Sequence, residues 1–229
     1  MLKPIIILNL KAYKEGMNKS LYTILDIVDS VSREYNNIDF AIAPNIIYLL
    51  DATKNRKRTL IFAQHADPVP YGAYTGHIPL AAIKDIGVDG VIVNHSERQV
   101  TFQVIENVVG MAQRNGLRTC VCGGDIVEIR AISRIKPIYT AFEPPELIGT
   151  GRSVSRVMPD ILKKSVNIIL EESEGKSIPV CGAGISNKTD VEMAFRSGAR
   201  GILVASAFVK AKDRKSLLMQ FAEAIEENI

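Results

Sequence analysis

The sequence predicts an α/β protein, a closed (β/α)8 barrel built as a single domain over residues 1–229, and three observations carry that prediction. Eight short apolar runs recur along the chain, each followed by a stretch with helical spacing of apolar residues. The runs are continuous rather than alternating, as suits strands buried on both faces of a parallel sheet. Eight units in 229 residues leave about 28 residues each, near the minimum for a β-α pair. An open doubly wound sheet is the alternative arrangement of the same units. No low-complexity segment or linker divides the chain.

In order, the predicted strands are residues 5–10, 38–43, 59–63, 90–93, 117–122, 138–142, 178–181 and 202–205. The first helix shows Leu21, Ile24, Leu25, Val28 and Val31 on one face. The sixth shows Ile161, Leu162, Val166 and Ile169, and the last Leu217, Phe221, Ala222 and Ile225. In such a barrel the active site lies at the C-terminal ends of the strands, so each strand end is a candidate position.

Composition narrows the function classes. Nearly half the chain is apolar, enough for a sizeable core. The net charge is +3 and the pI near 8.7, with no Lys/Arg cluster and few aromatic residues to suggest a nucleic-acid face. Cys120, Cys122 and Cys181 show no zinc spacing, and Cys120 and Cys122 are expected on opposite faces of one strand. An odd count of cysteines points to reduced thiols and a cytoplasmic setting. The apolar run at residues 5–8 is too short for a signal peptide, and no run reaches membrane-spanning length.

The strand ends carry the chemistry. Asn9 and Lys11 follow the first strand, and their spacing places them on one face, where an amide and an ammonium would attract an anion. Lys11 is otherwise a solvated strand-end lysine or, if desolvated, a Schiff-base nucleophile. After the third strand, residues 71–77 form a loop with two tyrosines and two glycines. It is either a partner contact or a cap over its own barrel. Asn94-His95-Ser96-Glu97-Arg98 follows the fourth strand. A neutral His95 just before a helix can donate a hydrogen bond and polarise a carbonyl. Glu143 closes the sixth strand and precedes Pro144-Pro145, which stiffen the chain as it leaves. Leu147, Ile148 and Gly149-Thr150-Gly151 then read as a lid with a greasy middle and a pliant exit. A carboxylate under such a lid is placed to act as a general base; the alternative is a solvated turn residue. Gly182-Ala183-Gly184 after the seventh strand and Ala205-Ser206 after the eighth let backbone amides approach a phosphate.

Taken together, these segments resemble the triosephosphate isomerase family. The matching pieces are Asn9-x-Lys11, Asn94-His95-Ser96-Glu97-Arg98, and Ala141-Phe142-Glu143-Pro144 with Ile148-Gly149-Thr150-Gly151. The short length, Pro144-Pro145-Glu146-Leu147 and Cys181-Gly182-Ala183-Gly184 resemble its compact archaeal branch. The resemblance implies a TIM barrel that interconverts dihydroxyacetone phosphate and D-glyceraldehyde 3-phosphate in glycolysis and gluconeogenesis, with no cofactor and no metal. It implies Glu143 as the base and His95 as the electrophile, a pairing for which this family is itself the standard example. Lys11 and Asn9 would hold the substrate, with Glu97 in support. Amides of Gly149, Gly184 and Ser206 would grip the phosphate beside Ile148 and Ala205. The resemblance also implies a homodimer or homotetramer, with residues 71–77 at the interface and Thr75 reaching Asn9 and Lys11 of the neighbour. The chain departs from the family pattern in having no tryptophan in the lid, Ala205-Ser206 for Gly-Gly, Asn94 for glycine and Gln99 for arginine. Two rival classes are a Schiff-base lyase on Lys11 and a catalytically silent phosphate-binding barrel.

Overall fold

The computed structural model describes residues 3–147 and 150–229. Its eight strands are β1 (Ile5–Asn9), β2 (Asp39–Ala43), β3 (Leu60–Ala63), β4 (Gly90–Val93), β5 (Arg118–Gly123), β6 (Tyr139–Phe142), β7 (Ile178–Cys181) and β8 (Gly201–Val204). Each pairs in parallel with its neighbours in chain order, and β1 pairs with β8 through Ile5–Gly201 to Leu8–Val204, so the sheet closes. A closed barrel, not the open sheet, is therefore the architecture.

Closure explains why the runs do not alternate. Ile5, Ile7, Ala41, Ala43, Phe62 and Tyr139 belong to a cluster that fills the barrel interior. Ile6, Leu8, Ile42 and Val91 face the other way and join the helices in a larger core. Both faces of each strand are dry, so both sets of positions are apolar. Cys120 and Cys122 share the interior cluster rather than opposite faces, because residues two apart on a strand point the same way.

The main outer helices are α1 (Lys19–Glu34), α2 (Leu49–Asn55), α3 (Leu80–Asp85), α4 (Phe102–Arg114), α5 (Ile126–Arg134), α7 (Pro159–Glu172), α8 (Lys188–Arg196) and α10 (Arg214–Glu226). Two single-turn helices, α6 (Val154–Val157) and α9 (Ser206–Val209), follow the sixth and eighth strands. Starts are marked locally. Asp125 accepts from the amides of Val127 and Glu128, Asn187 from that of Asp190 and Asp213 from that of Ser216, while Pro159 opens α7. In α7, Leu162, Val166 and Ile169 are buried as their spacing predicts, but Ile161 is 41% exposed. It lies one position before Leu162, off the stripe that meets the sheet. Among the described residues no helix is long and apolar enough to cross a membrane.

Candidate active site

The strand ends converge on a cavity of about 450 Å3 whose lining includes Asn9, Lys11, His95, Glu143, Gly184 and Ser206. Ala205 lines it as well. Ile148 and Gly149 lie outside the described residues.

Lys11 reaches this cavity by a different route from the one its spacing suggested. β1 ends at Asn9, and Lys11 sits beyond it with φ at +46°, so strand alternation no longer applies. Two contacts hold the left-handed turn. The Asn9 side-chain carbonyl accepts from the Lys11 amide at 3.0 Å, and Gln64 Nε2 donates to the Lys11 carbonyl at 3.0 Å and to Ala43 O at 2.9 Å. Such a conformation persists in a non-glycine residue only when its surroundings over-determine it. The Lys11 ammonium meets Glu97 Oε1 at 2.8 Å, with only 13% of the Lys11 side chain exposed. Gln64 directly follows β3, so its strand-end position was the signal that could have found it.

His95 does not precede a helix directly. It opens a tight turn in which its carbonyl accepts from Arg98 N at 2.7 Å, and α4 begins only at Phe102. The turn still sets its tautomer. Nδ1 accepts the amide hydrogen of Glu97 at 3.1 Å, so the ring proton belongs on Nε2. Nε2 faces Glu143 Oε1 at 3.7 Å. Asn94 supplies the bend, with φ at +60°. Its side chain bridges the gap between elements, donating to Cys122 O at 2.9 Å and accepting from Val100 N at 3.0 Å. Asparagine tolerates the left-handed region, so it can stand where glycine is commoner.

Glu143 is 2% exposed and continues the β6 ladder, its amide donating to Gly123 O at 2.9 Å. Burial pushes its carboxyl above the usual glutamate range, partly offset by His95, the Cys122 thiol and Lys11. Oε2 has no protein donor among the described residues. A buried carboxylate that the protein leaves partly unpaired is a candidate for chemistry rather than for structural support. Gly182 makes room for it, since a methyl group there would overlap Glu143 Cγ. The hydrogen bond with Cys120, and burial after it, push the Cys122 thiol far up, so Cys122 stays neutral beside the base.

At the far end of the cavity, Gly184 has φ at +72°, and a side chain there would run into the Arg152 carbonyl. The amides of Gly184 and Ser206 donate to no protein acceptor among the described residues. Ala205, at φ −127°, needs no glycine. The loop at residues 71–77 is exposed and does not reach this cavity, so it is no cap over its own barrel mouth. A second cavity of about 230 Å3 opens on the other side of Lys11 and His95, lined by Asn45, Ile46, Gln64 and Glu97. Among the described residues no cluster of His, Cys, Asp and Glu is arranged to hold a metal ion.

The family model for triosephosphate isomerase matches residues 4–226. The chain belongs to the triosephosphate isomerase family. Its relatives include the triosephosphate isomerase of Caldivirga maquilingensis, 40% identical over 224 residues that cover 97% of both chains. That of Methanocaldococcus jannaschii is 37% identical, covering 96% of this chain and all of the relative. That of Saccharolobus solfataricus is 36% identical, covering 95% and 94%. As a member of the triosephosphate isomerase family the chain is an isomerase on a TIM barrel. The chain has no tryptophan, and the segment that follows Gly151 is tied down by three contacts. Val154 N donates to Ala183 O at 3.2 Å, Ser155 Oγ donates to Asp190 O at 2.9 Å, and Arg156 Nε meets Asp190 Oδ1 at 2.6 Å.

Proposed function

We propose that this triosephosphate isomerase interconverts dihydroxyacetone phosphate and D-glyceraldehyde 3-phosphate with Glu143 as the base, His95 as the proton donor to oxygen and Lys11 as the counter-charge. One observation carries these roles: a buried carboxylate with a free oxygen faces a histidine Nε2–H at the mouth that Lys11 also enters. Glu143 takes the proton from the carbon next to the carbonyl. The electron pair moves onto the carbonyl oxygen, to which Nε2–H of His95 donates, and an enediolate forms. Glu143 then returns the proton to the neighbouring carbon while His95 relays the hydroxyl proton. Lys11 and Asn9 offset the enediolate charge, and Glu97 holds the Lys11 ammonium in place. Gly184 and Ser206 supply amides for the phosphate beside Ala205, with Ile148 and Gly149 completing the grip from the lid. No metal or cofactor enters this chemistry. A Schiff base on Lys11 needs a desolvated, uncharged amine, whereas Lys11 faces a carboxylate.

Residues 1–229 act in this reading as one catalytic domain, in the cytoplasm, serving glycolysis and gluconeogenesis. Three unpaired, buried cysteines support the reducing setting. The particle is at least a homodimer, a homotetramer being compatible. The exposed loop at residues 71–77 of one copy would enter the second cavity of its neighbour, next to exposed Ile46 and Ile47, and bring Thr75 to Asn9 and Lys11. The test of the reaction is a coupled assay for glyceraldehyde 3-phosphate turnover. Steady turnover without added metal supports the assignment, and none at any enzyme concentration would refute it.

A further inference from the structure

Among the described residues only two cations, Lys11 and Lys210, line the main cavity. Lys11 is engaged by Glu97, but among the described residues Lys210 forms no ion pair. Its ammonium instead rests 4.5 Å from the centre of the Tyr13 ring, which lines the same cavity. Both side chains are set by short local turns. The Tyr13 amide donates to Leu10 O at 3.2 Å, which folds the end of β1 back on itself. The Lys210 amide donates to Ser206 O at 3.0 Å, so Lys210 lies one helical turn past the residue whose free amide faces the cavity.

We propose that Lys210 is a substrate-binding residue: held on the Tyr13 face at the rim of the cavity, it supplies a second positive charge for the phosphate dianion. The inference rests on the phosphate end of the reading above. Lys210 is exposed, and an exposed cation over an aromatic face is held weakly, whereas a charge-assisted bond to phosphate oxygen is stronger. Lys210 can therefore exchange one contact for the other without breaking an ion pair. At the rim of a cleft lined by cations, its charge acts chiefly on capture of the anion, not on the proton transfers at Glu143.

The test uses Lys210→Met, Lys210→Arg and the intact wild-type chain. Affinity for inorganic phosphate is measured by calorimetry, and kcat and KM are measured with glyceraldehyde 3-phosphate and with glyceraldehyde, which lacks the phosphate. Lys210→Met should weaken phosphate binding and raise KM for the phosphorylated substrate by about tenfold. It should leave kcat and the reaction of glyceraldehyde as in wild type, and flatten the salt dependence of kcat/KM; Lys210→Arg should restore most of the loss. Wild-type phosphate affinity, KM and salt dependence in Lys210→Met would overturn the proposal while leaving the isomerase reading intact. A wild-type chain that binds phosphate but does not turn over would defeat the isomerase reading, and the calorimetric comparison would still decide the role of Lys210.

Discussion

At the residue scale the proposed base is Glu143, and its burial has a pH signature. With its carboxyl raised above the ordinary glutamate value of about 4.3, the acid limb of kcat/KM should lie above that value, because the limb reports the free enzyme's base. The sign for stability is opposite to that of a salt-bridged carboxylate. The folded chain holds this proton more tightly than the unfolded one. The group's contribution is therefore full below the ordinary pKa and lost as pH rises through the raised one. Glu143→Gln should flatten the pH dependence of thermal stability across that window. Gly182 is the second residue with a sharp expectation. Gly182→Ala puts a methyl group into Glu143 Cγ, so the carboxylate must shift by about 1 Å, a displacement that costs about 100-fold in rate. Overpacking should lower stability by about 1–3 kcal/mol. Kinetics and thermal melts on that variant check both numbers, and wild-type kcat would show that Glu143 does not need the space. The strand-end rule made Glu143, His95 and Asn9 legible in the sequence. It misread how Lys11 is held, because a left-handed turn replaces strand geometry there. It gave Gln64 no role and read Gly182 only as part of a Gly-Ala-Gly stretch, because close approach between segments far apart in sequence leaves no periodic trace.

At the scale of elements, the apolar runs located all eight strands to within about a residue at most ends, because closure makes both strand faces dry. The short helices α3, α6 and α9 did not announce themselves, since four to six residues are too few to show a 3.6-residue period. The two described ends of the segment proposed as a lid are anchored unequally. Its entry is stiff, with Pro144 and Pro145 leading into a single 3-10 turn at Pro145–Leu147. Its exit depends on Asp190 of α8, which is 1% exposed. Asp190 Oδ2 accepts from the amide and hydroxyl of Ser186 at 2.9 and 2.8 Å, while Oδ1 faces Arg156 as a close ion pair rather than an aligned hydrogen bond. Asp190→Ala should destabilise the chain by about 1–3 kcal/mol and raise KM, because Ser186 and neighbouring Gly184 lose their anchor. Arg156 is half-exposed, so Arg156→Met should cost only about 0–1 kcal/mol. Denaturant melts on the two variants check this order, and equal losses would place the anchor elsewhere.

At the scale of the whole molecule, the barrel gathers side chains from β1, β4, β6, β7 and β8 into one mouth, and the proposed neighbour adds a further wall behind Lys11. Assembly and activity should then be coupled by mass action, with specific activity falling as the enzyme is diluted through the dissociation range. Light scattering run alongside the assay checks this, and a fully active monomer would contradict it. The sequence could not reveal the second cavity, because its walls come from four strand ends and its proposed occupant from another copy. The central claim is that one carboxylate, Glu143, carries the proton between two substrate carbons. Its most direct measure is exchange of the substrate carbon-bound hydrogen in heavy water, followed by NMR in wild type and Glu143→Gln. Wild type should incorporate deuterium through the enediolate. Glu143→Gln, which keeps the shape but not the basicity, should lose exchange and isomerisation together by about 100- to 10,000-fold. Exchange in Glu143→Gln at the wild-type rate would contradict the claim, because the base would then be some other group.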